Sequence, residues 1–299
     1  MMATVAGVVM TVTGVVPSAA KPAEVAGGRV EIKELGTVKI HSFLSGPDGL
    51  FVNSHIVEGP TSLIIFDGQL LTSYASQFAD YVETLKKPVD RIILSHGHPD
   101  HWSGLEVLAA RFSAAPIYAL PGIAEGIEAR GEKMLGLMRK VFGDSVAKAP
   151  TIPSRQLSEG VTVIDGIRFE FRKILDAESD LQLLALMPEH NVMFAFDVVF
   201  DPNDHAFTVA NHFDHWIEIL LDLDKIQGYE VIIIGHNRAT NRGGIIATVE
   251  YLKQARKAFA ENETPEGYAG QLKQAFPDRG HSSWADFSSK VLYLNRKRT

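Results

Sequence analysis

From Arg29 onward, β-branched and polar residues alternate in short runs, RVEIKEL, TVKIHSFLS, LFVNSHIVEG and TSLIIFDG, cut by GPDG at 46–49 and GP at 59–60. A period of two between turn residues predicts antiparallel strands in a meander. The spacing then lengthens. SYASQFADYVETLKK predicts a helix, RIIL at 91–94 a buried strand, and Leu105, Leu108, Ala109 and Phe112 recur at helical intervals after the polar loop SHGHPDH. PIYAL at 116–120 reads as another strand, with helix over about 122–143. A second β-rich block follows: VTVIDG, IRFEFRKIL, DLQLLALMP and NVMFAF are strand-like, and EVIII at 230–234 leads through a Gly-His turn into a helix over about 243–260. Residues 261–299 read as packed helix with a solvated basic end. Two β-rich halves, each closing in helix, imply two sheets face to face with helices outside, one domain over 29–299 with its polar loops at one edge.

The chain ahead of this pattern is different. Residues 1–16, MMATVAGVVMTVTGVV, form an uncharged apolar run, and Pro17, Ser18, Ala19 and Ala20 suit signal-peptidase cleavage. The run is short for a bilayer span. The expectation is therefore an export signal and lead-in over 1–28, a periplasmic or secreted mature chain, and no stable membrane insertion. The competing reading, a tail or first strand, leaves the protein cytoplasmic.

Composition narrows the chemistry. A length of 299 residues with 45% hydrophobic positions is ample for a buried core. A formal charge of −7 supplies no basic field for phosphate backbones, which argues against nucleic acid and for a small-molecule substrate. Cysteine is absent, so disulfides, thiolate nucleophiles and Cys-bearing zinc sites are excluded. Any metal must sit on His, Asp and Glu.

Those residue types converge at His96-Gly97-His98-Pro99-Asp100-His101. The cluster lies between a buried strand and a helix, where a loop can turn its side chains toward one point. His96 and His98 can share one ion, while Asp100 and His101 at the helix start can reach a second. Imidazole and carboxylate suit zinc, and also manganese or iron.

At these residues the chain resembles the metallo-β-lactamase superfamily, whose signature is His-x-His-x-Asp-His in the same strand-loop-helix setting. The resemblance extends over about 35–260: IVEGPTSLIIFDG places Asp67 at a strand end, FAFDVVF supplies Asp197 as the metal-bridging aspartate, and IIIGHN supplies His236 as the last histidine ligand. It implies an α/β fold, an αββα sandwich of two mixed sheets with outer helices, and a binuclear site at the sheet edges. The chain departs from the usual pattern at one ligand, because ILDAESDLQLLALMPEHN has no histidine before His190. Counting back from Pro188-Glu189 places Glu178 there, with Asp176 and Asp180 as alternatives. A glutamate at this turn is similar to the alkyl-sulfatase branch, although that branch carries a further glutamate where this chain has Asp197.

The implied chemistry is hydrolysis by two divalent ions, zinc first, sharing one hydroxide and polarising the substrate. Asp100 would orient the nucleophile or carry its proton, besides ligating. Asp67 would hold a ligand histidine's other nitrogen or cap the strand end. The bridging Asp197 favours an ester, lactone or related acyl bond. A sulfate ester is the nearest alternative, then a β-lactam, metal-dependent oxidation, or a binding module that has lost turnover. Trp102, Phe200, His205, His212, His215 and Asn237 are candidates for the substrate pocket, with Arg238 and Arg242 as possible anion contacts. His41, His55 and His281 have no partner pattern and receive no role.

Overall fold

The computed structural model describes residues 23–25 and 27–296; the apolar run at the amino terminus lies outside them. The first sheet has eight strands in sequence order. They are β1 (Ala23–Val25), β2 (Gly28–Leu35), β3 (Val38–Leu44), β4 (Asn53–Glu58), β5 (Leu63–Phe66), β6 (Val89–Ile93), β7 (Ile117–Ala119) and β8 (Arg155–Gln156). The expected antiparallel meander holds through β5, and from there β6, β7 and β8 add in parallel. Parallel neighbours need crossovers. Here α1 (Thr72–Thr84) joins β5 to β6, α2 (Pro99–Trp102) and α3 (Leu105–Arg111) join β6 to β7, and α4 (Ile123–Phe142) precedes β8. In α1 the buried Tyr74, Ala75, Phe78, Ala79 and Val82 recur at helical spacing, which turns one face onto the sheet.

The second sheet has five strands in the order β13-β12-β11-β10-β9. Of these, β9 (Gly160–Ile164), β10 (Ile167–Leu175), β11 (Leu181–Met187) and β12 (Val192–Phe196) are antiparallel. The strand β13 (Val231–Ile234) returns parallel to β12 through α5 (Phe213–Lys225). Three helices follow, α6 (Arg242–Glu261), α7 (Pro265–Ala275) and α8 (Ser282–Arg296). Among the described residues no helix is long and apolar enough to cross a membrane.

The sheets meet through aromatic side chains. Phe66 of β5 stacks on Phe194 of β12 at 4.9 Å between ring centroids and lies 6.4 Å from Phe169 of β10, all fully buried. The residues that end the strands of this core carry the polar groups: Asp67 follows β5, Ser95 and His96 follow β6, Asp197 follows β12, and His236 follows β13. A single edge of the sandwich therefore collects them. Close backbone contact fixes two of these loops together, since Gly68 N donates to the His101 carbonyl at 2.6 Å and a side chain on Gly104 would collide with the Gly68 carbonyl.

His55, to which the sequence assigned nothing, ties the sheets to each other. On β4, its Nε2 donates to the Ile234 carbonyl of β13 at 3.1 Å, which leaves Nδ1 to accept from Ser42 Oγ at 2.9 Å. Burial holds the ring neutral and pushes its pKa down from 6.5 to about 3, against the opposing pull of the Ile234 carbonyl. Between those values the unfolded chain binds a proton that the folded ring refuses, so stability rises with pH across this window and falls as pH drops from 6.5. The expected slope from this residue is up to about 1.4 kcal/mol per pH unit. Denaturant unfolding at pH 7 and pH 5 should show that slope in the wild type and less of it in His55→Gln; equal slopes would remove His55 as the cause.

Candidate metal centre

The motif loop delivers its side chains because Pro99 starts α2 one residue after His98, whose backbone is still extended. His96 leaves the end of β6 and faces inward, fully buried. Glu178 stands in the turn between β10 and β11, 2% exposed, and just beyond the turn Leu183 N of β11 donates to the Ser95 carbonyl at 2.8 Å, which ties β11 to the motif loop. The three acidic candidates of this turn separate. Glu178 Oε1 lies 3.1 Å from His98 Nδ1 and its Oε2 3.8 Å from His96 Nε2. Asp176 and Asp180 turn outward instead, toward His212.

On the other side of His96, Asp197 Oδ2 lies 3.8 Å from His96 Nε2, 3.4 Å from His101 Nε2 and 3.2 Å from His236 Nε2. Asp100 Oδ2 is 3.7 Å from His101 Nε2 and 3.4 Å from His236 Nε2. Two donor sets result, His96 with His98 and Glu178, and Asp100 with His101 and His236, and Asp197 lies between them. All seven side chains predicted as ligands thus come together.

Whether this ring fits cations is decided by its unused atoms. His96 Nε2, His101 Nε2, His236 Nε2 and Asp197 Oδ1 are buried with no hydrogen-bond partner. Their other ring nitrogens are all engaged. His101 Nδ1 donates to Asp67 Oδ2 at 2.9 Å, and His236 Nδ1 donates to the Leu50 carbonyl at 2.9 Å. Ser95 Oγ gives its proton to Asp67 Oδ2 at 2.7 Å, so it accepts from His96 Nδ1 at 2.9 Å. Each Nε2 is left with its lone pair directed into the ring, the form a metal ion requires.

Without a cation, the carboxylates draw protons onto three of these rings instead. Burial opposes charge on His98 and His236, yet the facing carboxylates win and raise them to about 9 and about 10, Glu178 acting on the first and Asp197 with Asp100 on the second. His101 is likewise raised, by Asp197, Asp100 and Asp67. Burial lifts the carboxyl of Glu178, whereas His101 and His236 hold Asp197 well below the carboxylate range. Carboxylates buried this deeply demand positive charge, and divalent cations supply it.

The other predicted residues are dispersed. Trp102 does not line a pocket: it is fully buried, and its Nε1 donates to the Gly97 carbonyl at 2.9 Å, bracing the motif loop from behind. His205 is buried and shares a hydrogen bond with Tyr251 at 3.0 Å. His212 donates from Nδ1 to the Ala177 carbonyl at 3.3 Å, and His215 projects from α5 beside Glu218. Phe200 stacks on His236 at 6.2 Å. Asn237 donates to Asp204 at 2.7 Å and lines a cavity of about 880 Å³ with Arg238, while Arg242 pairs with Asp224 on the surface.

Sequence reasoning missed several supports. Ser95 directly precedes the motif and Gln182, four residues after Glu178, donates to its carboxylate at 3.3 Å; both spacings were visible. Trp284, packed 5.5 Å from His236, comes from a distant segment without a local signal, whereas Phe207, 5.0 Å from the same ring, belongs to the run of aromatics that follows Asp197 in the sequence.

The model of the metallo-beta-lactamase superfamily matches residues 47–236. The alkyl/aryl-sulfatase BDS1 of Saccharomyces cerevisiae is 27% identical over 173 residues, 47% of this chain and 27% of that protein. The linear primary-alkylsulfatase of a Pseudomonas species is 20% identical over 238 residues, 69% of this chain and 44% of that protein. The chain thus spans less than half the length of either relative. Among solved structures, the sec-alkylsulfatase Pisa1 from Pseudomonas gives a TM-score of 0.61 at 16% identity, over 85% of this chain and 48% of that one. A metallo-beta-lactamase from Pontibacter korlensis gives 0.57 at 16% identity, over 75% and 99%. At these identities the structural likeness is one of fold.

Asp67 accepts three hydrogen bonds, from Ser95 N, Ser95 Oγ and His101 Nδ1. In Asp67→Asn one amide oxygen must serve all three donors, and the tautomers of His96 and His101 lose their support. Zinc affinity measured against a competing chelator should fall about 10–100-fold, with the thermal transition retained; unchanged affinity would show that Asp67 does not orient these rings.

Proposed function

The chain belongs to the metallo-beta-lactamase superfamily of metal-dependent hydrolases, and from that premise we propose that it hydrolyses a sulfate ester at a centre of two divalent ions, zinc foremost. The observation that carries the reading is Glu178, a carboxylate facing His96 and His98 at the place where a third histidine is usual. The similarity to alkyl-sulfatases supports the same choice over the acyl ester that Asp197 alone suggests. His96, His98 and Glu178 would hold one ion, Asp100, His101 and His236 the other, with Asp197 shared.

When bound, such ions supply Lewis acidity that makes a water a nucleophile at neutral pH and polarises the ester. Glu178, Asp100 and Asp197 would offset three of the four charges of two dications, so that the centre would be at most weakly positive. A centre of that charge suits a monoanionic ester better than a strongly anionic one. Asp100, 17% exposed on its side chain and the more open of the carboxylates, is placed to orient the attacking water and carry its proton to the departing alkoxide. Asp67 and Ser95 keep His96 and His101 in register through that step.

A second reading, hydrolysis of a carboxylic ester or lactone, is favoured by Asp197, where the alkyl-sulfatase pattern carries glutamate. Rates on 4-nitrophenyl sulfate, 4-nitrophenyl acetate and a lactone separate the two, measured beside metal content on wild type and Glu178→Ala. The proposal expects sulfate turnover, about two metal ions per chain falling to about one in the variant, and loss of at least 100-fold in rate. Turnover confined to the acetate or lactone would favour the second reading, and no metal with no turnover would leave a binding module.

A further inference from the structure

A cleft of about 430 Å³ opens over His98 and Glu178. One wall is a face of α4, where Ile123, Gly126, Arg130, Lys133, Met134 and Leu137 follow one another at helical spacing. Leu181, Val209 and Val291 of α8 add apolar surface to the lining. Arg130 and Lys133 are both exposed, and among the described residues neither has an ion-pair partner. The next cation of the helix, Arg139, is neutralised by Glu132 at 2.9 Å. Two acids share the cleft: Glu178 belongs to its floor, and Asp180 is directed toward His212 at 4.0 Å. On a chain whose formal charge is −7, this pair of uncompensated cations beside the candidate metal centre stands out.

Depth separates the pair from the chemistry. Glu178 is 2% exposed, whereas Arg130 and Lys133 are both exposed. An anion gripped by Arg130 and Lys133 at the exposed side of the cleft is therefore a different group from the one at the buried floor. We propose that Arg130 and Lys133 are a second recognition point, for an oxyanion carried by the substrate away from the bond that is cut. The substrate is then an ester whose hydrocarbon spacer ends in a carboxylate or sulfate. This rests on ester hydrolysis at the metal centre; the rim site itself can be tested without turnover.

The test uses zinc-loaded protein and the Arg130→Gln/Lys133→Gln double variant, whose changes are confined to exposed positions. Calorimetric titration with adipate and with hexanoate compares two carboxylates on a spacer with one. Wild type should prefer adipate about tenfold, and the double variant should bind both alike. Equal binding by wild type, or a preference that survives the double substitution, would overturn the inference. In parallel, 4-carboxybutyl sulfate and pentyl sulfate should differ in KM by a similar factor with kcat little changed, and the difference should vanish in the variant. Failure to cleave either sulfate, with the adipate preference intact, would count against the sulfatase reading and not against the rim site.

Discussion

Glu178 and Asp197, each 2% exposed, must find positive charge, and the arrangement of this edge of the molecule follows from that requirement together with Asp100 beside them. A buried carboxylate without compensation costs several kcal/mol, more than most single contacts supply. Imidazoles alone meet the demand only by taking up protons, which is the sense in which His98, His101 and His236 are raised. A cation satisfies the carboxylates and the orphaned Nε2 atoms together. The ring is built for charge that the side chains do not themselves carry.

Such a ring works only if every member is held from behind. Asp67 does this for two histidines, one directly and one through Ser95, and it does so from the end of β5, whose Phe66 is anchored between the sheets. His236 is held from the opposite direction. Asn53 at the start of β4 donates to the carbonyls of Ile234 and Asn237, and Asn53 N donates to the Gly235 carbonyl, so the turn carrying His236 is clamped to the first sheet. Gly235 has no substitute in this turn: a β-carbon there would run into the Asp197 carboxylate and lie 3.0 Å from the His101 ring. The hydrophobic core and the metal centre are thus one mechanical unit, since moving either sheet moves ligands from both.

The cleft continues the same division of labour. Glu178 lies buried at its floor, apolar side chains of α4 and α8 line part of its walls, and its cations are exposed, where solvation keeps their cost small. Three of the six residues that the sequence offered as a substrate pocket serve packing: Trp102 braces the motif loop, His205 joins Tyr251 in the helical layer, and Phe200 supports His236.

The sequence by itself determined the elements and the chemistry concentrated in one loop. Alternation and helical spacing are local, so β2 to β5, α1 and the strand before the motif were legible, and so was a loop where three histidines and an aspartate fall within six residues. Asp67, Asp197 and His236 were legible because each sits just past an apolar strand, a position that survives without knowing which strands pair. The tertiary structure alone decided which carboxylate of Asp176, Glu178 and Asp180 turns inward. The three lie within five residues on one turn, and Glu178 finds its inward partner His98 only across the sandwich, far away in sequence. It alone brought α4 and α8 to the mouth of the cleft and Trp284 against His236. Those are contacts between distant segments, set by how two sheets and their helices pack, and no local pattern encodes them.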